Sequence, residues 1–258
     1  MNPQSALFPR LAAAFVLMIH TCLAAEGYLE KTFAGTTGTL PYRILAPSEI
    51  QPGTRYPLIL FLHGAGERGD DNKRQSYHGG KLFLEKKNRE EYPAFVVFPQ
   101  CPNGKRWVEV NWSAPEPHDQ PEKPSEPMSL VMELVPELEK TLPIDTTRVY
   151  LMGLSMGGFG SWDLAARHPE WFAAVVPICG GADNSTAPSL AKLPIWTFHG
   201  DADNVIPAAR TRSMVAALRA AGGSPKYSEY PGVAHNSWFK AFAEPDLLPW
   251  LYAQKRSP

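Results

Sequence analysis

Short apolar runs recur along the chain, separated by stretches with helical spacing. The run 56–62 (YPLILFL) is near-continuous, and 94–98 (AFVVF), 149–152 (VYLM), 173–178 (AAVVPI) and 195–198 (IWTF) repeat it. Runs without polar alternation mark strands buried on both faces, as in a parallel sheet. Residues 226–230 (KYSEY) are more polar and predict a strand at a sheet edge. Upstream, 28–34 and 38–46 predict two strands joined by Gly35-Thr36-Thr37-Gly38, an antiparallel hairpin. Residues 129–142 carry Leu130, Leu134 and Leu138 at helical spacing, and Pro136 predicts a kink or restart. Residues 156–167, 208–221 and 237–253 predict further helices, with Gly222-Gly223 stopping the one that ends at 221. This alternation predicts an α/β fold, with helices on both faces of a mostly parallel sheet.

Two stretches break the pattern. Residues 104–127 hold five prolines together with Trp107 and Trp112, and show no period. A long irregular segment after the fourth strand lies on the side where open α/β sheets bind ligands. It is expected to form a cap or wall of a cleft. Residues 1–25 contain one charged side chain, Arg10, then an apolar run 11–19 and small residues at Cys22, Ala24 and Ala25. This reads as a secretory signal peptide cut near Ala24 or Ala25. The run is too short for a comfortable span, which takes ~20 residues. The mature protein is therefore expected to have no membrane span, and 26–258 to form one catalytic domain.

The 258 residues are 44% hydrophobic and 20% charged, as in an ordinary globular protein. A net charge of -1 argues against nucleic acid as a partner. Past the leader only Cys101 and Cys179 remain. They end strands that the usual order would hold two strands apart, too far for a disulfide. Free buried thiols are expected.

The chemistry concentrates at a few points. Gly153-Leu154-Ser155-Met156-Gly157 is G-x-S-x-G between a strand and a predicted helix, the setting of a nucleophile elbow. A serine needs an adjacent base to act as a nucleophile. Asp201 and Asp203, just past the strand 195–198, are candidate acids, Asp201 being the better placed to organise the turn. His235 follows the last strand, where this fold delivers its base. His63 and His199 each precede a glycine at a strand end and read as turn organisers. His78, His118 and His168 read as solvated or capping residues. The oxyanion needs backbone donors. The Met156 amide is one, and the loop 63–69 (HGAGERG) offers Ala65, with Gly64 as the alternative. Arg68 could hold a substrate carboxylate or pair locally with Glu67, Asp70 or Asp71. Trp107 and Trp112 could stack on a sugar or aromatic acyl group, or anchor the loop. No His/Cys cluster has metal-ligand spacing, and no dinucleotide or phosphate-loop motif is present.

Together HGAGERG, PQCP (99–102), GLSMGGFG (153–160), FHGDADNVIP (198–207) and GVAHNSW (232–238) resemble bacterial secreted α/β-hydrolases. Members are called predicted peptidases, phospholipase/carboxylesterase-like proteins, or feruloyl and polyhydroxybutyrate depolymerase-like esterases. The resemblance runs from about Tyr56 to Trp250. It implies the α/β-hydrolase fold, the triad Ser155, Asp203 and His235, and Ala65 and Met156 as oxyanion donors. It also implies a cofactor-free serine carboxylesterase, exported to the periplasm or beyond. The expected substrates are short-chain or aromatic esters, small or polymer-linked, such as those on plant polysaccharide. A serine peptidase or a polyester depolymerase could use the same residues. The leader has a direct check. The intact mass of exported protein should lack the first 24 or 25 residues, and a chain retaining Met1 would end that reading.

Overall fold

A computed structural model describes residues 27–256, so the leader expected at 1–25 lies outside the described residues. The strands are β1 (Leu29–Ala34), β2 (Thr39–Leu45), β3 (Tyr56–Leu62), β4 (Phe95–Pro99), β5 (Ile144–Leu154), β6 (Ala174–Ile178), β7 (Trp196–Gly200) and β8 (Lys226–Tyr230). They form one sheet in the order β1-β2-β4-β3-β5-β6-β7-β8. β2 pairs antiparallel with β1 and with β4, and every other pairing is parallel. The helices are α1 (Gly80–Leu84), α2 (Lys86–Glu91), α3 (Glu126–Thr141), α4 (Met156–Arg167), α5 (Ala187–Leu190), α6 (Ala209–Ala220), α7 (Trp238–Phe242) and α8 (Leu247–Ala253).

The central strands are apolar throughout because both faces are covered. Side chains alternate across a strand. Leu58, Leu60 and Leu62 of β3 join one core with α3, α4, α5 and α6, through residues such as Leu134, Phe159, Leu190 and Met214. Ile59 and Phe61 join the other, with Phe83 of α1, Ala241 of α7 and Leu248 and Leu251 of α8. β8 is only half-buried along most of its length, as expected of an edge. Cys101 and Cys179 are free and buried, and β3 and β5 stand between the strands they follow.

Several boundaries depart from the sequence expectation for local reasons. The helix expected over 237–253 is two helices, α7 and α8. Pro245 lies between them; it has no N–H and disfavours helical geometry at the residue before it. α3 starts earlier than expected, because the Ser125 side chain caps it by accepting from the Met128 amide (3.3 Å). It then runs through Pro136 without restarting. Proline removes one bond there, while buried Val131, Leu134, Val135 and Leu138 hold both halves to the sheet. Helices α1 and α2 were not anticipated. α2 buries no residue, so its sequence carries no apolar stripe.

The proline-rich segment is irregular up to Ser125, and the neighbouring helices pin it. Arg210 of α6, only 1% exposed, donates to the carbonyls of Asn111 (2.8 Å) and Ala114 (3.2 Å) and to His118 Nδ1 (2.5 Å). From α4, Arg167 reaches the Pro121 carbonyl (2.6 Å) and Asp163 accepts from Gln120 Nε2 (2.9 Å). His118 is therefore not the solvated loop residue expected. Burial, aided by the Arg210 charge, pushes its pKa down to about 4, so the neutral ring accepts from the guanidinium. The segment is fixed rather than loose. Replacing Arg210 with Met should cost roughly 2 kcal/mol or more, as several charge-assisted hydrogen bonds are lost. Amide exchange over 108–120 should quicken, as read by mass spectrometry. Unchanged exchange there would show that the segment is held by other contacts.

Candidate active site

β3, β5, β7 and β8 run parallel, so their C-terminal ends share one edge of the sheet, and the loops leaving that edge meet. Ser155 follows β5 and precedes α4, with φ 54° and ψ -118°. This is a strained conformation for a residue with a side chain. The surroundings enforce it. The Ser155 amide donates to the Ile178 carbonyl of β6 (2.9 Å), and its carbonyl accepts from the Phe159 amide (3.1 Å). A Cβ on Gly157 would lie 1.9 Å from the Leu62 carbonyl oxygen, so only glycine lets the helix start this close to β3. Met156 is the first residue of α4, and its N–H has no acceptor within the helix.

The loops after β7 and β8 are tied to each other. The Asp201 amide donates to the Tyr230 carbonyl (3.2 Å), the Ala202 amide to the Val233 carbonyl (3.1 Å), and Asp201 Oδ1 accepts from the Gly232 amide (2.6 Å). A Cβ on Gly200 would sit 2.1 Å from the Val233 carbonyl oxygen. Asp201 thus organises the turn, and Asp203 is the acid that reaches the histidine. His235 Nδ1 lies 2.7 Å from Asp203 Oδ2, and His235 Nε2 lies 2.8 Å from Ser155 Oγ. An ionised carboxylate only accepts, so Nδ1 carries the proton and Nε2 is free to accept from the serine. Asp203 Oδ1 accepts from the amides of Val205 and Ile206, both at 2.9 Å. Burial pushes the Asp203 carboxyl upward. Hydrogen bonds from His199, His235, Ile206 and Val205 outweigh it and hold the pKa well below the usual carboxylate range.

The loop after β3 forms one tight turn, Ala65–Glu67. His63 Nε2 accepts from the Cys101 amide (2.9 Å), so Nδ1 carries the hydrogen and donates to the Gly64 carbonyl (2.6 Å). Burial lowers the His63 pKa to about 4 and keeps the ring neutral. The Gly64 carbonyl and the Ala65 N–H belong to one trans peptide and point in opposite directions. The ring that holds the carbonyl therefore also aims the Ala65 amide. The Glu67 carboxylate is buried beside this turn, and burial raises its pKa.

A family model described as "Putative esterase" matches residues 35–220. The chain belongs to this esterase family. A thermostable esterase of known structure superposes with a TM-score of 0.83 and 35% identity, over 91% of this chain and 64% of its own. Among curated relatives, the esterase NocK of Nocardia uniformis subsp. tsuyamanensis is 32% identical over 154 residues, 58% of this chain and 41% of NocK. The bifunctional acetylxylan esterase/xylanase XynS20E of Neocallimastix patriciarum is 27% identical over 163 residues, 63% of this chain and 21% of XynS20E. The chain thus spans about two fifths of NocK and about a fifth of XynS20E.

Other expected site residues of this esterase-family chain fall elsewhere. Trp107 has no exposed surface and its indole N–H donates to the His63 carbonyl (3.0 Å), so it supports the loop and cannot stack on a substrate. Trp112 is half-buried, with the Arg106 guanidinium 4.5 Å over its ring. Arg68 joins no carboxylate; it donates to the carbonyls of Ala65 (2.8 Å) and Lys105 (3.2 Å) and so braces the loop after β3. Glu67 faces His78 instead, at 3.6 Å. His78 is no isolated surface residue, because its ring packs against Tyr77, Trp238 and Phe239. Trp238 in turn meets the His235 ring edge-on at 5.6 Å. The sequence held no signal for this group, whose members come from the turn before α1 and the start of α7. His199, read as a turn organiser, lies against Asp203 with Nε2 3.2 Å from Oδ2.

Cys179 completes the setting. Among the described residues, Cys179, Asp203 and His235 are the one group whose donor atoms could together hold a metal, all within 4.8 Å. Burial pushes the thiol up to about 12, so it stays protonated, while the other two residues bond to each other. The depressed Asp203 pKa has a consequence for stability. A carboxyl whose folded pKa lies below its unfolded value stabilises above the unfolded value, about 3.9, and loses that contribution as pH falls below it. Asp203→Asn should therefore be less stable than wild type near pH 7. The gap in urea midpoint should narrow as pH drops below about 4, and a gap that widened would contradict the assignment.

Proposed function

We propose that this chain is a serine carboxylesterase that hydrolyses short-chain or aromatic esters through an acyl-enzyme on Ser155. The observation that carries this reading is the unbroken hydrogen-bonded line from Ser155 Oγ through His235 to Asp203. His235 takes the serine proton as Oγ attacks the ester carbonyl. The amides of Met156 and Ala65 receive the oxyanion; the His63 ring, by holding the Gly64 carbonyl, aims the Ala65 amide and favours it over Gly64. His235 then protonates the leaving alcohol and activates water for deacylation. Asp203 holds the ring in the required tautomer and stabilises its cation.

A polymer-linked substrate, such as an acylated plant polysaccharide, is supported by two observations. Tyr77 and Phe239 are 78% and 59% exposed and flank the His78–Trp238 pair that leads to His235. Exposed rings suit the apolar faces of sugars or aryl groups. One matched relative is also named as an acetylxylan esterase/xylanase. Export, read from the leader, agrees with a substrate outside the cell.

A p-nitrophenyl ester series from acetate to palmitate, together with methyl ferulate, tests the reading. Short esters should lead, and Ser155→Ala should lose at least ~10³-fold in rate. A fluorophosphonate probe should label the wild type and not the variant. Matched ester and amide substrates separate the peptidase alternative, since faster amide turnover at equal concentration would replace this proposal.

A further inference from the structure

His199 occupies the fourth position of β7 and has no exposed surface. Its Nε2 lies 3.0 Å from the Ile206 carbonyl oxygen and 3.2 Å from Asp203 Oδ2. Both neighbours only accept, so Nε2 must carry a hydrogen. Nδ1 lies 2.7 Å from Thr211 Oγ1 of α6, and that hydroxyl is 2.9 Å from the Gly180 carbonyl oxygen. The single threonine hydrogen can serve either neighbour. In both arrangements Nε2 remains a donor toward Asp203.

The carboxylate is thus saturated. Oδ1 takes two backbone amides, while Oδ2 takes His235 at 2.7 Å and His199 at 3.2 Å. A plain turn organiser would need only the Ile206 carbonyl. We propose that His199 is a positioning residue for the acid: its Nε2–H shares the Asp203 oxygen that holds His235, which fixes the carboxylate's orientation and moderates the basicity of the His235 ring. The inference rests on the reading of His235 as general base for its catalytic consequence, and on geometry alone for its electrostatic one.

The sign follows from charge sharing. A second donor on Oδ2 draws off part of the negative charge that stabilises the His235 cation. Without it, the cation is better stabilised and His235 titrates at higher pH. Other ionisable groups around the ring are few. Glu229 of β8 stands beside His199 in the sheet register, but it is already paired with Arg212 of α6 and Tyr227. Cys179, at the end of β6, stays a neutral thiol. Glu67, on the loop after β3, faces His78, whose ring reaches His235 only through Trp238. The ionisable groups hydrogen-bonded to the ring, directly or through one shared oxygen, are Asp203 and His199.

Two substitutions of similar size and polarity separate position from bulk. In His199→Gln the side-chain amide nitrogen stands near the imidazole Nε2 and can still donate to Asp203. In His199→Asn it stands near Nδ1, where it meets Thr211 and leaves Asp203 with three donors. The first readout is histidine-ring NMR of His235 against pH, which needs no turnover. The Asn variant should move the His235 titration up by about half a pH unit, and the Gln variant should stay within about 0.1 unit of wild type. On p-nitrophenyl acetate the acidic limb of kcat/KM should move with it, and kcat of the Asn variant should fall on the order of tenfold. That is far short of the ~10⁴-fold loss when a triad acid is itself replaced.

A purely structural role would lower the melting temperature of both variants alike and leave the His235 titration unmoved, which overturns the inference. Equal displacement in the Gln and Asn variants also overturns it. If the wild type hydrolyses no ester while the NMR shift appears only in the Asn variant, the electrostatic inference stands and the esterase reading falls.

Discussion

The first turn of α4 lies against the end of β3 with no room for a side chain between them. The contact of Gly157 with the Leu62 carbonyl sets the height of the helix above the sheet. Because α4 starts so close, the chain between β5 and the helix must reverse within one residue, and Ser155 takes the strained conformation that the reversal requires. The same closeness brings the helix N-terminus, with its unpaired amides and positive dipole end, beside the loop after β3. The backbone geometry of Ser155 and the placement of the helix N-terminus beside the β3 loop therefore follow from one packing contact.

A second constraint is the cost of burying charge. The Asp203 side chain has no exposed surface, and a buried carboxylate is tolerated only when its lone pairs are occupied. Two amides of its own turn and two imidazoles occupy them. The loops after β7 and β8 are laced by backbone bonds, so the carboxylate and the His235 ring meet without relying on flexible segments. Arg210 does similar work for the proline-rich segment. It spends its donors on two carbonyls and a neutral His118, and thereby gives shape to a segment with no regular structure of its own.

Histidines show how chemistry depends on surroundings. His63, buried and neutral, aims a peptide plane. His118, buried and neutral, accepts from a guanidinium. His235 keeps a fifth of its side chain exposed and faces both a hydroxyl and a carboxylate. His199 touches that carboxylate from the other side. Residue type alone could not have assigned these roles, since three of the four sit beside glycine-rich turns or proline-rich segments in the sequence.

The sequence alone determined the sheet and the strand-to-helix turn at Ser155, and it singled out Ser155, Asp203 and His235, which the structure brings into hydrogen-bonding contact. Strands buried on both faces must be continuously apolar, and a reversal of this tightness must be flanked by glycine, so both leave local marks. The separation of β4 from β6, and with it the free thiols, followed from the same strand reading. Tertiary structure decided the rest. Trp107 lost a ligand role because α4 and the β3 loop close over it, and Arg68 turned to carbonyls while Glu67 faces His78 and Asp71 pairs with Arg74 and Gln100. His199 meets Asp203 only once the turn at 203–206 curls back over β7, and the group of Tyr77, His78, Trp238 and Phe239 exists only where the turn before α1 meets the start of α7. Such contacts join positions far apart or turned by an intervening loop, and no local pattern of residues encodes them.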